Sequence, residues 1–392
     1  MFRVAIEMLL YDKMKFLGLL IGVTFTAFLV TFAMGYFAGF MTRGFALVDD
    51  NPTAKVWVMD PAVSSTEATI NMSNASLDMV RGIEGVEYAT PLYLGDVTAR
   101  YANGHFQSFQ IIGVDDTTLS GAPQGIANLL HIPNSVIVDS GGTEGKLLTP
   151  LYKKDMWSYD GSHLNAPTRE FRFGDTMLIN SKRVVVAGIS HTIPRFPPRP
   201  LLYTTISNFK RLIPGERRYI TFIMVRPAKN ITPTELAQRI TQKTHLKAIT
   251  DDEFKKETVL WFMINSEDVG DMVNMVILAM LVGFGVTGVM LYMFTYENIK
   301  QYAILKAIGA SSKQLRDMIF TQVIVSSVAG SGIGVGIAAV LAQLISSPTF
   351  PFRMMWFAPL IGFLGVMIVS FSAIFMSLRP LKNMEAGIVF KL

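Results

Sequence analysis

The sequence predicts a membrane protein with four transmembrane α-helices, arranged as one helix plus three, and a large mixed α/β domain inserted after the first helix. Half of its 392 residues are hydrophobic. Four stretches carry no charged side chain and are long enough for a helix to cross about 30 Å of hydrocarbon. A long segment of ordinary globular composition separates the first stretch from the other three. The fold class follows from this order.

The chain begins with a short segment, residues 1–15, in which Ile6 and Leu9 share one helical face while Arg3 and Glu7 lie elsewhere. This pattern is typical of an amphipathic helix that lies on the cytoplasmic surface of a membrane. A simple extension of the first transmembrane helix explains the segment equally well. Both interpretations stay open at the level of the sequence.

The orientation of the spans is predicted by their flanking charges. The predicted spans are residues 16–42, 272–296, 318–346 and 354–378. Lys and Arg cluster before the first span, between the second and third, and after the fourth. We therefore expect a membrane protein in which both termini, the 297–317 loop and the tail at 379–392 are cytoplasmic. The net charge of +5 is then a signal of topology and gives no evidence for nucleic-acid binding.

The insert, residues 43–250, is predicted to be a periplasmic α/β domain because strand and helix signals alternate along it. We expect two subdomains with a break near residues 113–135. The prolines of residues 193–200 exclude a helix or a central strand there. Further on, Thr232 and Pro233 have the composition of an N-cap and a first helical position.

A stalk helix is predicted over residues 251–271, between the insert and the second span. Its acidic first turn suits a helix N-terminus, and no proline interrupts the chain from there into the membrane. We therefore expect one continuous helix. The positions predicted to pack between two copies of the stalk are Phe254, Leu260, Trp261 and Ile264.

No catalytic cluster is visible in the sequence. The five histidines are scattered through the insert without an HExxH motif, and the lack of cysteine excludes disulfides and thiolate metal sites. A glycine-rich segment at residues 141–146 departs from the P-loop pattern at both ends. The spans contain no ionisable side chain, which argues against an ion-coupled pump. We predict no enzyme activity, no metal and no nucleotide site in this chain.

Glycines recur in the second and third spans. The positions predicted to allow close helix packing are Gly283, Gly288, Gly330, Gly332, Gly334 and Gly336. Spacings of four residues in the third span form small-xxx-small pairs, which let two helix backbones approach closely. Packing within one chain and packing between two chains explain these glycines equally well.

The loop after the second span is the most specific feature. It predicts a short helix that stops at Gly309 in the C′ position, with Lys306 near its carbonyl end. A solvated turn is the alternative. The stretch resembles the coupling helix of the FtsX-like/MacB-type ABC permease family, which reads E-x-x-x-(E/Q)-x-A-x-L-(K/R)-A-(I/L/M)-G-(A/Y). The matching residues are Glu297, Gln301, Ala303, Leu305, Lys306, Ala307, Ile308, Gly309 and Ala310. Gln301 stands where the family more often has an acidic residue.

This resemblance implies a type VII ABC permease with a MacB-like periplasmic domain that works by mechanotransmission. Such a permease forms a homodimer and pairs with two separate cytoplasmic ATPases, which bind ATP and Mg. It often works with a membrane-fusion protein and an outer-membrane duct. The residues expected to contact the ATPase are Glu297, Lys300, Gln301, Leu305, Lys306, Ile308, Gly309 and Ala310.

Three segments resemble the DevC-like branch of this family, namely residues 85–95, 184–188 and 380–390. That branch implies export of a lipid-like or hydrophobic substrate and contact with membrane lipid. Two alternatives use the same kind of coupling. One is an FtsX-type regulator of a cell-wall hydrolase, whose insert is usually smaller, and the other is a lipoprotein-release permease.

Overall fold

A computed structural model describes residues 2–157, 161–213, 215, 219–347 and 350–382. The chain divides into two compact units, which we call the membrane unit (Met1–Phe40 and Glu267–Leu392) and the inserted domain (Met41–Ser266). The end of the predicted tail, residues 383–392, lies outside the described residues, as does most of the 380–390 segment.

The helices and strands of the two units have the following bounds. The α-helices are α1 (Phe2–Tyr11), α2 (Lys13–Gly44), α3 (Ala46–Asp49), α4 (Ala75–Arg81), α5 (Ile206–Leu212), α6 (Pro233–Thr244), α7 (Asp251–Asn265), α8 (Glu267–Glu297), α9 (Ile299–Ala307), α10 (Ser312–Ile345) and α11 (Phe357–Lys382). The strands are β1 (Val56–Met59), β2 (Met72–Ser73), β3 (Val86–Tyr101), β4 (Phe106–Val114), β5 (Ser135–Asp139), β6 (Leu148–Pro150), β7 (Thr168–Glu170), β8 (Thr176–Ile179), β9 (Lys182–Ser190), β10 (Leu201–Thr205), β11 (Tyr219–Ile220), β12 (Phe222–Pro227) and β13 (Lys247–Thr250).

Four helices in the described part of the chain are long and apolar enough to cross a membrane. They are Lys13–Gly44, Glu267–Glu297, Ser312–Ile345 and Phe357–Ile374. Their buried faces form an apolar core that includes Val23, Leu291, Val323 and Val366. One such helix precedes the inserted domain and three follow it, so the predicted fold class is confirmed.

The first helix of the chain, α1, is separate from α2. Its Ala5 and Leu9 are buried, and the Gln322 side chain of α10 donates a hydrogen bond to the Ala5 carbonyl oxygen at 3.1 Å. At the break, the Asp12 carboxylate accepts a hydrogen bond from the Lys15 backbone N–H at 3.3 Å. This contact lowers the pKa of Asp12 and satisfies an otherwise unpaired donor at the start of α2. The segment is therefore not a simple extension of α2.

The inserted domain is built on one large sheet. Its strand order in the described residues is β13-β1-β12-β3-β4-β10-β5-β9-β8, and β3 also pairs with β8. The strands from β3 to β8 thus close into a ring. β4 and β10 are parallel, as are β5 and β9. Because β10 pairs with both β4 and β5, the sheet is continuous across the predicted boundary at residues 113–135.

Local signals in the inserted domain give the expected structures. Thr232 caps α6 through a capping box with Glu235, and Pro233 occupies the first helical turn, as predicted. Residues 191–200, all of them described, form neither helix nor strand. This confirms the prediction from their prolines.

The predicted continuous stalk helix is wrong. α7 ends at Asn265, Ser266 has an extended backbone with φ −106° and ψ 119°, and α8 begins at Glu267. The physical reason is readable in the sequence, since a serine followed by two acidic residues is itself a start signal for a new helix. The absence of proline did not ensure continuity.

Phe254, on α7, is fully buried in the core of the inserted domain. Its ring centroid lies 5.6 Å from that of Trp57 and 5.5 Å from that of Phe222. Aromatic side chains bury about 150–250 Å² each and dominate core energetics. Phe254 therefore anchors α7 to its own domain, and the expectation that it packs against a second copy is corrected.

Candidate coupling site

The segment from Asn298 to Gln314, which we call the α9 hairpin, contains α9 and the start of α10. It begins at Asn298, which directly follows α8. Asn298 is buried, and its side-chain amide donates a hydrogen bond to the Phe294 carbonyl oxygen at 2.8 Å. Its backbone leaves helical geometry, with φ −90° and ψ 7°. The chain thus turns immediately into α9, so the orientation of the short helix is set by the end of a long one.

The other end of α9 has the geometry of a Schellman motif. The N–H of Ala310 donates to the Leu305 carbonyl oxygen at 2.9 Å, and the N–H of Gly309 donates to the Lys306 carbonyl oxygen at 3.1 Å. Gly309 has φ +102°, which an L-residue adopts only with strain. The predicted helix stop at Gly309 is confirmed.

A capping box begins α10 two residues later. Ser311 Oγ accepts from the Gln314 N–H at 3.3 Å, and Gln314 Oε1 accepts from the Ser311 N–H at 2.9 Å. The turn between α9 and α10 is therefore held by paired backbone groups on both sides.

The residues predicted to contact the ATPase divide between two environments. Leu305 and Ala310 are half-buried and pack against the apolar core of the membrane unit. The half-buried set also includes Gln301 and Lys306, whereas Glu297, Lys300, Ile308 and Gly309 are exposed. The side chain of Ile308 is 76% exposed. Ile304, which the sequence did not single out, is also exposed and lies one helical turn before Ile308.

Glu297 forms an ion pair within the chain. Its Oε2 lies 3.6 Å from Lys15 Nζ, which also lies 3.3 Å from Asp12 Oδ2. These side chains are partly exposed, and such pairs contribute about 0–1 kcal/mol. The pairing joins the start of α2 to the end of α8.

Sequence reasoning missed a buried polar chain behind α9. Tyr302 is fully buried, and its hydroxyl donates to Gln322 Oε1 at 2.6 Å. The Gln322 amide in turn donates to the Ala5 carbonyl oxygen at 3.1 Å. Burial raises the pKa of the Tyr302 hydroxyl. A tyrosine at an unspecified position of the motif gives no sequence signal, because its role depends on two distant partners.

The glycines of α10 face two directions. A Cβ added at Gly330 would lie 2.6 Å from Val23 Cγ1, and one at Gly334 would lie 2.5 Å from the Thr24 carbonyl oxygen. At Gly332 and Gly336, an added Cβ would meet no heavy atom within 4 Å among the described residues. The first pair therefore packs against α2 within the chain, and the second lines an open face.

In α8, Gly283 packs against α2, since an added Cβ would lie 2.7 Å from Thr26 Cγ2. Gly288 is less crowded, with Val369 Cγ1 at 4.0 Å. The Thr26 hydroxyl donates to the Gly283 carbonyl oxygen at 2.6 Å, and the Thr287 hydroxyl donates to Thr26 Oγ1 at 2.7 Å. Hydrogen bonds of this kind hold α2 and α8 together inside an apolar medium.

The predicted stalk positions on α7 also separate. Leu260 is 57% exposed and Ile264 is 77% exposed. Trp261 is half-buried, with its ring centroid 5.3 Å from that of Phe262. These three remain candidates for contact with a second copy, unlike Phe254.

Among the described residues, no group of three or more His, Asp or Glu side chains is arranged to hold a metal ion.

The C-terminal part of the chain matches a known protein family. Residues 274–386 match the FtsX-like permease C-terminal family. The matched segment includes most of α8 and all of α9, α10 and α11. No curated protein sequence matches the chain.

Three solved structures are similar to part of the chain. The periplasmic region of MacB from Actinobacillus actinomycetemcomitans has 14% identity and a TM-score of 0.35, covering 53% of this chain and 94% of that one. The extracellular domain of the noncanonic ABC-type transporter YknZ from Gram-positive bacteria has 12% identity and a TM-score of 0.31, covering 50% and 98%. A domain of a permease protein from Porphyromonas gingivalis has 12% identity and a TM-score of 0.27, covering 50% and 85%.

The match over residues 274–386 includes the α9 hairpin, so the sequence motif and the family agree on the same segment. An ATPase partner is a general property of ABC permeases. The chain is therefore a multi-pass membrane protein with an FtsX-like permease domain, and its four apolar helices with a large α/β domain inserted after the first have the architecture of a type VII ABC permease.

Proposed function

We propose that this chain is the permease subunit of an ABC export system, and that it transmits ATP-driven motion of a separate ATPase dimer to its inserted domain. The observation that carries the proposal is the α9 hairpin, in which a Schellman motif ends α9, a capping box begins α10, and Ile304 and Ile308 are exposed. Two exposed apolar side chains on adjacent turns, beside the exposed Lys300, suit a docking surface for another protein.

Docking would place the ATPase against the exposed face of α9. The partner would bind ATP and Mg, and this chain would contribute the contact surface. Leu305 and Ala310 would act from behind, because they pack α9 on the membrane unit and let it move with that unit. Coupling through packed, rigid elements with two arrangements is the physical requirement.

Two polar connections support transmission beyond α9. The Tyr302–Gln322–Ala5 chain of hydrogen bonds joins α9 to α10 and α1, and the Lys15–Glu297 ion pair joins α8 to α2. Since α2 and α8 each continue in sequence toward the inserted domain, motion at the hairpin has two covalent routes to it.

We place the protein in the bacterial inner membrane with both termini cytoplasmic and the inserted domain periplasmic. Two copies would form the working dimer, with the open Gly332/Gly336 face of α10 and the exposed Leu260 and Ile264 of α7 available for contact. The resemblance to the DevC-like branch favours a membrane-fusion protein, an outer-membrane duct and a lipid-like or hydrophobic substrate drawn from membrane lipid.

The docking role is tested by Ile308→Glu, which places a charge on the exposed apolar surface without filling the core. The complex is purified from native membranes, and both the co-purified ATPase and ATP hydrolysis in liposomes are measured. We expect loss of the ATPase subunit and of coupled hydrolysis, with membrane insertion unchanged. Gly309→Pro should have the same effect, because proline cannot adopt φ +102°.

The matched control is Met79→Glu, since Met79 is also an exposed apolar residue on a helix, α4, in the inserted domain. It should retain the ATPase. If Ile308→Glu retains the ATPase and its turnover, the docking proposal is rejected. Mass spectrometry of the proteins that co-purify with the inserted domain separates the functions, since a fusion protein supports export and a cell-wall hydrolase supports a regulator.

A further inference from the structure

A buried arginine in the inserted domain has no role in the coupling site described above. Arg195 is 4% exposed, and its Nη2 lies 2.8 Å from Asp50 Oδ2 and 3.3 Å from the Tyr203 hydroxyl. Its Nε and Nη1 have no hydrogen-bond partner among the residues the structure describes. Burying a charge is costly unless it is paired, and the Asp50 carboxylate provides that pairing.

The partners of Arg195 come from separated segments. Asp50 directly follows α3, which begins two residues after the end of α2. Arg195 lies in the 191–200 loop, where its backbone N–H donates a hydrogen bond to the Gly141 carbonyl oxygen at 3.1 Å. Burial raises the pKa of Asp50, and the nearby guanidinium acts in the opposite direction. The ion pair therefore ties the chain segment that follows the first span to a loop of the domain.

A second ion pair ties the same segment to α7. Lys255 Nζ lies 2.7 Å from Asp49 Oδ1, with both side chains mostly buried, and the ammonium also lies 6.0 Å from the centre of the Phe45 ring. Asp49 and Asp50 are adjacent, so one short segment holds both Arg195 and Lys255. α7 is the helix that precedes the second span.

Apolar contacts complete the arrangement. A Cβ added at Gly44 would lie 2.7 Å from Phe262 Cε2, so the end of α2 packs directly on a ring of α7. The Phe262 ring centroid lies 5.3 Å from that of Phe196, the neighbour of Arg195. The Thr66 hydroxyl also donates to the Gly44 carbonyl oxygen at 2.7 Å. The three segments thus meet around Phe262.

We infer that Asp49, Asp50, Arg195, Lys255 and Phe262 form a joint that locks together the two segments through which the inserted domain is connected to the membrane helices. Arg195 and Lys255 are positioning residues, since they act by holding those segments against the 191–200 loop. The inference rests on the proposed function, because a permease that does its work in the inserted domain needs both connections to move as one body.

The joint is tested by measuring the orientation of α7 in the full-length protein. Because the chain has no cysteine, spin labels can be attached at Met263→Cys on α7 and Ser108→Cys on β4, both exposed. Labelled chains are diluted with unlabelled chains so that only distances within one copy are measured. Pulsed electron paramagnetic resonance then gives their distance distribution. We expect one narrow distance with an intact joint and loss of that single distance in Lys255→Asp. The exchanged pair Asp49→Lys/Lys255→Asp should restore it.

Arg195→Met should also broaden the distance, and thermal unfolding shows whether that variant still folds. If Arg195→Met does not fold, the Asp49→Lys/Lys255→Asp exchange at partly exposed positions still tests whether the joint holds α7. Arg169→Met is the control, since Arg169 pairs with Asp175 at 2.7 Å elsewhere in the domain, and it should leave the distance unchanged. One narrow distance in Lys255→Asp would overturn the joint.

The two proposals fail separately. The label distance in the absence of ATP tests the joint without involving the ATPase. In the complex with the co-purified ATPase, the intact joint should keep its single distance on adding ATP with vanadate, because the locked segments move as one body. A distance that changes with ATP in the intact joint would overturn the lock. Retention of the ATPase and its turnover in Ile308→Glu would reject the proposed function while leaving the joint in place.

Discussion

The hydroxyl oxygen of Tyr302 lies 2.6 Å from Gln322 Oε1, to which it donates a hydrogen bond. Both side chains are buried, and the Gln322 amide continues the chain of hydrogen bonds to the Ala5 carbonyl oxygen. A hydrogen bond of this length between buried groups costs more to leave unmade than it contributes when formed. Tyr302 therefore helps to hold α9 to the rest of the membrane unit, together with Leu305 and Ala310.

Tyr302→Phe keeps the ring and removes the donor, which leaves Gln322 Oε1 without its partner. We expect a loss of about 1–3 kcal/mol in the free energy of unfolding and weaker coupled ATP hydrolysis. Thermal unfolding of the detergent-purified protein measures the first effect. Tyr296→Phe is the control, because Tyr296 is 58% exposed. Equal melting temperatures for both variants would contradict the buried role of Tyr302.

The two glycine faces of α10 respond differently to alanine. At Gly334 the new methyl group would approach the Thr24 carbonyl oxygen to 2.5 Å, so α2 must move away. Overpacking of this kind costs about 1–3 kcal/mol. At Gly336, where the described residues leave the added atom in open space, alanine should be tolerated or should stabilise by up to about 1 kcal/mol. Thermal unfolding of Gly334→Ala and Gly336→Ala in parallel measures the difference. A lower melting temperature for Gly336→Ala than for the parent protein would contradict the prediction.

Gly309→Ala tests the turn that ends α9. An alanine at φ +102° is strained, and left-handed conformations cost an L-residue about 1–2 kcal/mol. We expect a lower melting temperature and reduced coupled hydrolysis. Gly285→Ala is the matched control, since Gly285 lies within α8 and an added Cβ there has no described heavy atom within 4 Å. Identical behaviour of the two variants would show that the turn geometry is unimportant.

Asp115 predicts a pH dependence of stability. Burial acts to raise its pKa, but hydrogen bonds from Thr118 and Thr117 outweigh it, so that the pKa lies below the ordinary value of 3.8. Oδ2 accepts from both backbone N–H groups and both hydroxyls. Since the unfolded chain binds the proton more tightly, this stabilisation is present above about pH 4 and is lost as the pH falls through the native pKa.

Asp115→Asn should therefore lower the melting temperature at neutral pH and reduce its dependence on pH below about 4. The measurement is thermal unfolding of the full-length protein over that range. A variant whose melting temperature falls with acid as steeply as the parent protein would show that another group causes the acid sensitivity.

Several elements were predictable because their signals are local. The four apolar stretches appear as helices, since an apolar segment of that length satisfies its backbone hydrogen bonds within itself. The stop at Gly309 and the start at Thr232 depend on residues within one or two turns. The break at Ser266 also has a local signal, the acidic turn that follows it, and the lack of proline does not outweigh that signal.

Other features joined positions that no local pattern relates. Gln322 and Ala5 are 317 positions apart in the chain, and Phe254 packs in the core against Trp57 and Phe222. An amphipathic or glycine pattern predicts that one face of a helix packs against another element, but it does not identify which helix packs there. The contacts of Gly330 and Gly334 with α2 were therefore undecided by the sequence, which allowed packing with a second copy equally well.

The sequence by itself determined the membrane spans, their order around the insert and the caps of the α9 hairpin. These follow from hydrophobic length and from hydrogen bonds between near neighbours in the chain. Only the tertiary structure decided which glycines pack inside the chain, which side of α9 is exposed, and that Arg195 is paired with Asp50. The physical reason is that burial and pairing belong to surfaces built by distant segments, so they exist only once the chain has folded.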